Sequence, residues 1–234
     1  MAENAGTTVA APSAPRAGRD LPIRVGVGTL LLGLAVGSLA WRKELFLVLV
    51  ALACGASLWE LSHAFRRRGI TLPLLPMLVG TVGILVSAYL AGAEALLVAF
   101  MLTAGGVVIW RVLDGSGPAA LRDAAAATFA VAYIPFLAGF VALMLIPSDG
   151  VWRVGLFVLL AVASDTGGYA AGVLLGRHPL APTVSPRKSW EGLAGSAVLA
   201  AAVGGVGVWW AFDGSWLTGA LLGVDITGRG GATL

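Results

Sequence analysis

Long apolar runs separated by short polar stretches occupy the chain from about residue 23 to residue 212. A transmembrane helix needs ~20 mainly apolar residues to cross ~30 Å of hydrocarbon. By that length the runs predict seven spans, at about 23–40, 44–64, 72–92, 94–113, 124–147, 151–175 and 186–212. We therefore expect an all-α fold, a polytopic transmembrane helical bundle.

The flanking segments complete the predicted domain organisation. Residues 1–22, rich in Ala, Pro, Thr and Gly, are typical of a disordered tail. Residues 23–147 contain the first five helices, and residues 148–224 contain the last two with a polar loop at 176–189 between them. We expect residues 225–234 to form an irregular C-terminal tail.

The composition excludes a soluble domain. Apolar residues make up 58% and charged residues 12% of the 234 positions, against about 45–50% and about 25% in soluble domains. The single cysteine, Cys54, excludes an intrachain disulfide and a Cys-based zinc site. The net charge of +3 is carried by short loops between spans, so we expect membrane lipids as partners rather than nucleic acid.

The distribution of basic residues predicts the orientation in the cell membrane. With the N-terminus and the loop 176–189 in the cytoplasm, the outer segments contain four of the 15 Lys and Arg residues: Arg42, Lys43, Arg153 and Arg229. The inner segments contain Arg16, Arg19, Arg24, Arg66, Arg67, Arg68, Arg111, Arg122, Arg177, Arg187 and Lys188. This bias follows the positive-inside rule, and tryptophans near both ends of the spans agree with it.

Most acidic residues lie at span ends, where solvation at the membrane surface explains them. We assign this interpretation to five of them: Glu44, Glu94, Asp114, Asp123 and Asp149. Glu60, near the inner end of the second span, is expected to reach the headgroups or to pair with an arginine of 66–68.

Asp165 lies well inside the sixth span, where a carboxylate is costly unless it faces a cavity, a cation or a partner. Gly168, Gly172 and Gly176 follow it on the same side of the helix. Close helix packing is one explanation for these glycines. Because packing does not account for the aspartate, we favour a functional role for Asp165.

The loop 176–189 supplies the matching basic groups. Ser185 and Pro186 are predicted as the N-cap and first residue of the seventh helix, with Arg187 and Lys188 in its first turn. Such a helix start is an anion site suited to phosphates. Lys188, Glu191, Gly192 and Gly195 would then share one helix face. We interpret His178 as an interfacial residue rather than a general base.

These groups fit metal-assisted phosphoryl or nucleotidyl transfer. Carboxylates such as Asp165 and Glu191 can hold Mg²⁺, and a Lys or Arg can neutralise charge that develops on phosphate oxygens.

Two sequence blocks resemble the phosphatidate cytidylyltransferase (CDP-diglyceride synthase) family. They are Ser164–Tyr169 and Ser185–Gly192, and the family pattern reads roughly S-D-T-x-A-Y and S-P-K-K-T-W-E-G. Weaker similarities are Trp59-Glu60 and Tyr133. The resemblance implies a Mg²⁺-dependent reaction in phospholipid biosynthesis, in which CTP and phosphatidate give CDP-diacylglycerol and pyrophosphate. It implies catalytic roles for Asp165, Lys188 and Glu191, metal binding by Asp165 and Glu191, and substrate binding by Tyr169, Ser185, Arg187, Lys188 and Ser189.

The resemblance stops before the end of the chain. The family has a further signature resembling K-R-x₄-K-D…P-G-H-G-G-x₂-D-R-x-D, which residues 225–234 do not match. We therefore expect this chain to hold only part of the metal site and to be inactive by itself, as a truncation, a frameshift product or a degenerate paralogue. Two other functions stay open: a CTP-dependent polyprenol kinase, and a non-enzymatic transporter or scaffold. A homodimer is also left open.

Overall fold

The computed structural model describes residues 21–115, 117–181 and 185–211. Its helices are α1 (Leu21–Trp41), α2 (Lys43–Arg66), α3 (Leu74–Asp114), α4 (Pro118–Val131), α5 (Leu137–Met144), α6 (Gly150–Leu175) and α7 (Trp190–Ala211). A π-helical segment, Ala132–Phe136, joins α4 to α5, and two short strands, β1 (Pro179–Ala181) and β2 (Ser185–Ser189), lie between α6 and α7. The predicted tails fall outside the described residues, except that α1 includes Leu21 and Pro22.

Helix α3 is two antiparallel spans. Gly92 has φ +82° and ψ −163°, a conformation that glycine adopts without a Cβ clash and that interrupts the helix. Gly80 and Thr103 lie on opposite sides of this break, and a Cβ on Gly80 would be 2.7 Å from Thr103 Oγ1. In a straight helix these residues would be about 35 Å apart. The two spans predicted at 72–92 and 94–113 are therefore confirmed.

The described chain is a polytopic helical bundle, as predicted. Five helical stretches of the described residues are long and apolar enough to cross a membrane: α2, α3, the continuous stretch Pro118–Met144 that contains α4 and α5, α6 and α7. Of these, α3 folds back on itself at Gly92. The apolar part of α1 is shorter, at Gly28–Trp41. Counting both halves of α3, seven segments run across the bundle, with α4 and α5 as one segment interrupted by Pro135 and the π-helical turn around it.

One end of the bundle is fastened by Lys43. Its Nζ donates hydrogen bonds to the carbonyl oxygens of Leu145 (2.8 Å) and Pro147 (2.7 Å), so the start of α2 is tied to the turn between α5 and α6. Tyr89 Oη donates to Glu44 Oε1 (3.3 Å) at the same end. These contacts bring together segments that the charge pattern places on the outer side.

Asp123 lies at the opposite end and corrects a sequence-based interpretation. It was expected to be solvated at the membrane surface, but only 4% of its side chain is exposed. Arg111 Nη2 donates to Asp123 Oδ2 (2.8 Å), and Thr71 Oγ1 donates to the same oxygen. A buried carboxylate requires such partners. Asp123 therefore joins the turn after α2 to the end of α3 and the start of α4.

Other interfacial acids behave more nearly as expected. Asp149 pairs with Arg153 one helical turn later (2.8 Å), and Glu94 is exposed beside the Gly92 turn. Glu60 is exposed and pairs with no arginine among the described residues, so the pairing expected with 66–68 is absent.

Helices α6 and α7 pack with their backbones almost in contact. A Cβ on Gly195 would lie 2.6 Å from the carbonyl oxygen of Gly167, and one on Gly192 would lie 3.0 Å from that of Gly168. Ser196 Oγ also donates to the carbonyl oxygen of Ser164 (2.8 Å). In lipid, where apolar helix surfaces gain nothing by leaving water, close van der Waals packing and interhelical hydrogen bonds hold helices together.

This packing predicts opposite outcomes for two glycines of α7. Gly195→Ala should destabilise the protein by about 1–3 kcal/mol, because the new methyl group overlaps the Gly167 backbone. Gly205→Ala is the matched control: no atom lies within 4 Å of its Cβ position, and alanine favours the helix. Thermal unfolding of the purified variants in detergent measures both. Equal melting temperatures for the two variants would show that Gly195 and the Gly167 backbone are not in close contact.

Candidate functional site

The loop between α6 and α7 is a small β-hairpin. Strands β1 and β2 pair antiparallel, with Pro179 opposite Ser189 and Ala181 opposite Ser185. The backbone N–H of Trp190 donates to the carbonyl oxygen of His178 (3.0 Å), which continues the pairing into the first residue of α7. Residues 182–184, at the tip, lie outside the described residues.

The seventh helix begins later than predicted. Ser185 and Pro186 were expected to start it, but α7 begins at Trp190. Ser189 is the N-cap, since its Oγ accepts a hydrogen bond from the N–H of Gly192 (3.1 Å), three residues on. The Ser185–Ser189 backbone instead bonds to β1, a pairing that local capping signals do not reveal.

This correction changes the predicted phosphate site. Arg187 and Lys188 belong to β2, so they do not occupy the first turn of α7. The expected helix face shared by Lys188, Glu191, Gly192 and Gly195 is therefore wrong with respect to Lys188. Lys188 is exposed and forms no hydrogen bond or ion pair with any residue that the structure describes.

Glu191 fastens the hairpin to α7. Its Oε1 lies 2.6 Å from His178 Nδ1, and its Oε2 accepts hydrogen bonds from the backbone N–H groups of Arg177 (3.2 Å) and His178 (3.3 Å). His178, interpreted from the sequence as interfacial, is exposed but also forms this pair. This pair could not be predicted from the sequence, because only the strand pairing brings the two residues together.

Ser189 has a second role besides capping. A Cβ on Gly176 would lie 2.9 Å from Ser189 Oγ, and Cβ atoms on Gly192 and Gly172 would lie 3.2 and 3.6 Å from it. Together with the contact of Gly168 with Gly192, this shows that the glycines following Asp165 serve close helix packing. The packing explanation of those glycines is correct.

Asp165 remains unexplained by packing. Its side chain is exposed on α6 and has no hydrogen bond or ion pair within the described parts of the chain. Gly172 lies level with Gly192, and Asp165 is seven residues before Gly172, so it sits roughly 10 Å along the helix axis from the level of Glu191. The structure does not bring the two predicted metal ligands together.

Two further predicted site residues lie on β2 of the hairpin and on α6. Ser185 is half-buried at the start of β2, and Tyr169 is exposed one turn from Asp165. Within the described residues, no group of three or more His, Cys, Asp and Glu side chains is arranged to hold a metal ion. Mg²⁺ commonly takes only one or two protein carboxylates together with substrate phosphates, and the unpaired Asp165 carboxylate fits that mode.

The comparisons with known proteins agree with the motifs. A family model described as the cytidylyltransferase family matches residues 22–228. A protein named phosphatidate cytidylyltransferase from Mycobacterium leprae is 40% identical over 202 residues, which cover 79% of this chain and 64% of that protein. One of the same name from Mycobacterium tuberculosis is 34% identical over 199 residues, covering 78% of this chain and 60% of its own length.

One further relative matches only a short part of the chain. A protein of the same name from Haemophilus influenzae is 44% identical over 72 residues, which are 29% of this chain and 25% of that protein. No solved structure matches the chain. The chain spans less than two thirds of the length of the mycobacterial proteins that it resembles.

The anchoring role of Glu191 gives a prediction that does not depend on activity. Glu191→Ala should release the hairpin and increase tryptic cleavage after Arg177 or Lys188 several-fold, because the backbone around these bonds opens more often once its contacts with the carboxylate are lost. Glu94→Ala, at an exposed residue of the Gly92 turn, is the control. Mass spectrometry of timed digests in detergent identifies the cleaved bonds. Unchanged cleavage in Glu191→Ala would mean that the three contacts do not hold the hairpin.

Proposed function

Since the chain belongs to the cytidylyltransferase family, we propose that it acts in the transfer of the cytidylyl group of CTP to phosphatidate. A phosphatidate phosphate oxygen attacks the α-phosphorus of CTP, and the bond from that phosphorus to the β-phosphate oxygen breaks. The products are CDP-diacylglycerol and pyrophosphate. The family match, the names of the relatives and the two sequence blocks around Asp165 and Lys188 support this proposal.

The observation that carries the proposal is the anchored hairpin with an unpaired lysine. Glu191 and Ser189 fix the start of α7 against α6, so the strand that carries Lys188 has a defined position. The Lys188 ammonium, which has no acidic partner in the described chain, is available to neutralise phosphate charge. Ser185 on the same strand can donate a hydrogen bond to a phosphate oxygen.

Asp165 is the residue we propose to hold Mg²⁺. Bound with substrate phosphates, the ion would supply charge neutralisation at the phosphoryl oxygens. Glu191 could join it only by giving up its contacts with Arg177 and His178, so we propose a positioning role for Glu191 first. Arg187 and Tyr169 remain proposed substrate contacts.

The membrane setting suits a reaction between a lipid and a nucleotide. The chain is a multi-pass membrane protein. We propose that the hairpin faces the cytoplasm, where CTP is found. The contacts of Arg111 with Thr71 and Asp123 support this orientation, because they place the ends of α2 and α3 and the start of α4 together, with their basic residues on one side. A homodimer stays a prediction.

Substitution of Asp165 tests the proposed chemistry. Asp165→Asn preserves shape but removes the charge that a metal requires, so in a version of the protein that carries the family's C-terminal signature, Mg²⁺-dependent formation of CDP-diacylglycerol should fall by at least about 10²-fold. The assay uses radiolabelled CTP, phosphatidate in mixed micelles and Mg²⁺, with the lipid product and pyrophosphate measured separately. Glu94→Gln, an exposed acid far from the hairpin, should retain full turnover.

Each outcome of this assay has a defined meaning. Near wild-type turnover in Asp165→Asn, with the protein still folded by thermal unfolding, would show that Asp165 is not the metal-binding residue. Release of CDP instead of pyrophosphate would identify a lipid kinase and overturn the proposed reaction. No CTP-dependent product at any Mg²⁺ concentration from the version that carries the C-terminal signature would favour a non-enzymatic role.

The proposed orientation has its own test. In a background with Cys54 replaced by Ala, cysteines at Arg177 and Arg42 lie at opposite ends of the bundle. A membrane-impermeant thiol reagent added to intact cells should label the Arg42→Cys variant and leave Arg177→Cys unlabelled until the membrane is opened, because only the outer end is reached. The reverse labelling pattern would invert the topology.

A further inference from the structure

Four arginines form an exposed surface at the end of the bundle where α2 ends and α4 begins. This arginine surface consists of Arg66, Arg67, Arg68 and Arg122. Arg122 exposes 52% of its side chain, and each of the other three is also exposed. Guanidinium groups gathered at one point repel each other unless acidic partners or bound anions compensate them.

The two aspartates nearby are already occupied. Arg111 binds both neighbouring aspartates, with Nη1 2.6 Å from Asp114 Oδ2 and Nη2 2.8 Å from Asp123 Oδ2. Arg122 lies farther from Asp123, at 3.4 Å. Glu60, the next acid along α2, makes no ion pair in the described chain. Arg66, Arg67 and Arg68 therefore have no acidic partner among the described residues.

The backbone places the start of α4 beside the end of the arginine triplet. The N–H of Gly69 donates to the carbonyl oxygen of Arg66 (3.0 Å), and Gly69 takes φ +70°, which reverses the chain directly after the arginine triplet. Arg122 Nη2 donates to the carbonyl oxygen of Gly69. The start of α4 is thus fixed beside the end of α2, and the positive charges of both helices are concentrated there.

Exposed apolar side chains lie next to this surface. Leu121, the residue before Arg122, is 73% exposed, and Trp59, two turns before Arg66 on α2, is also exposed. Arg66 is the last residue of a 24-residue apolar span, a length that puts it at the level of the lipid headgroups. A ligand here meets guanidinium groups at one end and hydrocarbon-facing side chains at the other.

We propose that the arginine surface binds the headgroup phosphate of an anionic phospholipid. Guanidinium groups form bidentate, charge-assisted hydrogen bonds with phosphate oxygens. The bordering Leu121 and Trp59 favour a lipid over a free phosphate ion, because only a lipid has acyl chains to place against them. The site is separate from the hairpin residues and does not rest on the proposed reaction.

Lipid-dependent stabilisation tests the proposal. Purified protein in detergent is titrated with phosphatidylglycerol, with phosphatidylcholine of the same acyl chains, or with inorganic phosphate at equal ionic strength, and the melting temperature is followed. Of the three additives, only phosphatidylglycerol should raise the melting temperature. Native mass spectrometry should show retained phosphatidylglycerol under the same conditions.

Variants then locate the site. Replacing Arg66, Arg67 and Arg68 together by Gln should weaken the phosphatidylglycerol effect by at least about tenfold, because basic residues near the surface each add to the attraction for anionic lipid. The triple Lys variant, which keeps the charge but cannot form the bidentate hydrogen bonds, should retain only part of it. The matched pair Arg67→Gln and Arg42→Gln compares single arginines at opposite ends, Arg42 having a 70% exposed side chain.

The outcomes separate the alternatives. An undiminished phosphatidylglycerol effect in the triple Gln variant would overturn the proposal, as would equal losses in Arg67→Gln and Arg42→Gln. If inorganic phosphate stabilised the protein as much as the lipid did, the site would be one for free phosphate and the lipid assignment would be wrong. If the triple Gln variant does not fold, the comparison of Arg67→Gln with Arg42→Gln decides whether the arginine surface binds the lipid.

Discussion

Where α6 and α7 cross, the carbonyl oxygen of Gly168 lies 3.0 Å from the point that a Cβ on Gly192 would occupy, and Gly167 and Gly195 approach each other still more closely. No side chain separates the two backbones, so sliding or rotating one helix would drive a neighbouring side chain or carbonyl into the other. Gly192 is also only three residues beyond the N-cap Ser189. The crossing therefore sets the height and direction of the hairpin that precedes α7.

The polar contacts of the hairpin extend this constraint. Glu191 is in the first turn of α7 and binds the backbone of Arg177 and both the backbone and ring of His178, so one carboxylate joins the end of α6, β1 and the start of α7. Lys188 lies between two anchored points, Ser185 paired to β1 and Ser189 packed on Gly176. A lysine that is unpaired but carried on a fixed strand is preorganised for a phosphate, because little backbone ordering remains for the ligand to impose.

The spans could be predicted from sequence because their length is a direct consequence of membrane thickness, and the two halves of α3 were predicted as the separate spans 72–92 and 94–113. The start of α7 was not, since Ser185 and Ser189 are both good N-caps and the choice between them is made by pairing with β1. Asp123 was misjudged for a similar reason. Its partner Thr71 is distant in sequence, and hydropathy records only that an acid stands near a span end.

Charged residues that have a partner within the described chain differ in role from those that have none. An ionised group near hydrocarbon is costly in proportion to how far it is removed from water and counter-charge. Arg111 with Asp123 and Glu191 with His178 meet that requirement internally, and these pairs hold segments together. Asp165, Lys188 and the arginine triplet at 66–68 do not meet it within the described residues. Because these groups are exposed and lack a counter-charge within the described residues, they are the ones for which we propose counter-ions from outside the chain: a cation for Asp165 and phosphates for Lys188 and the arginines.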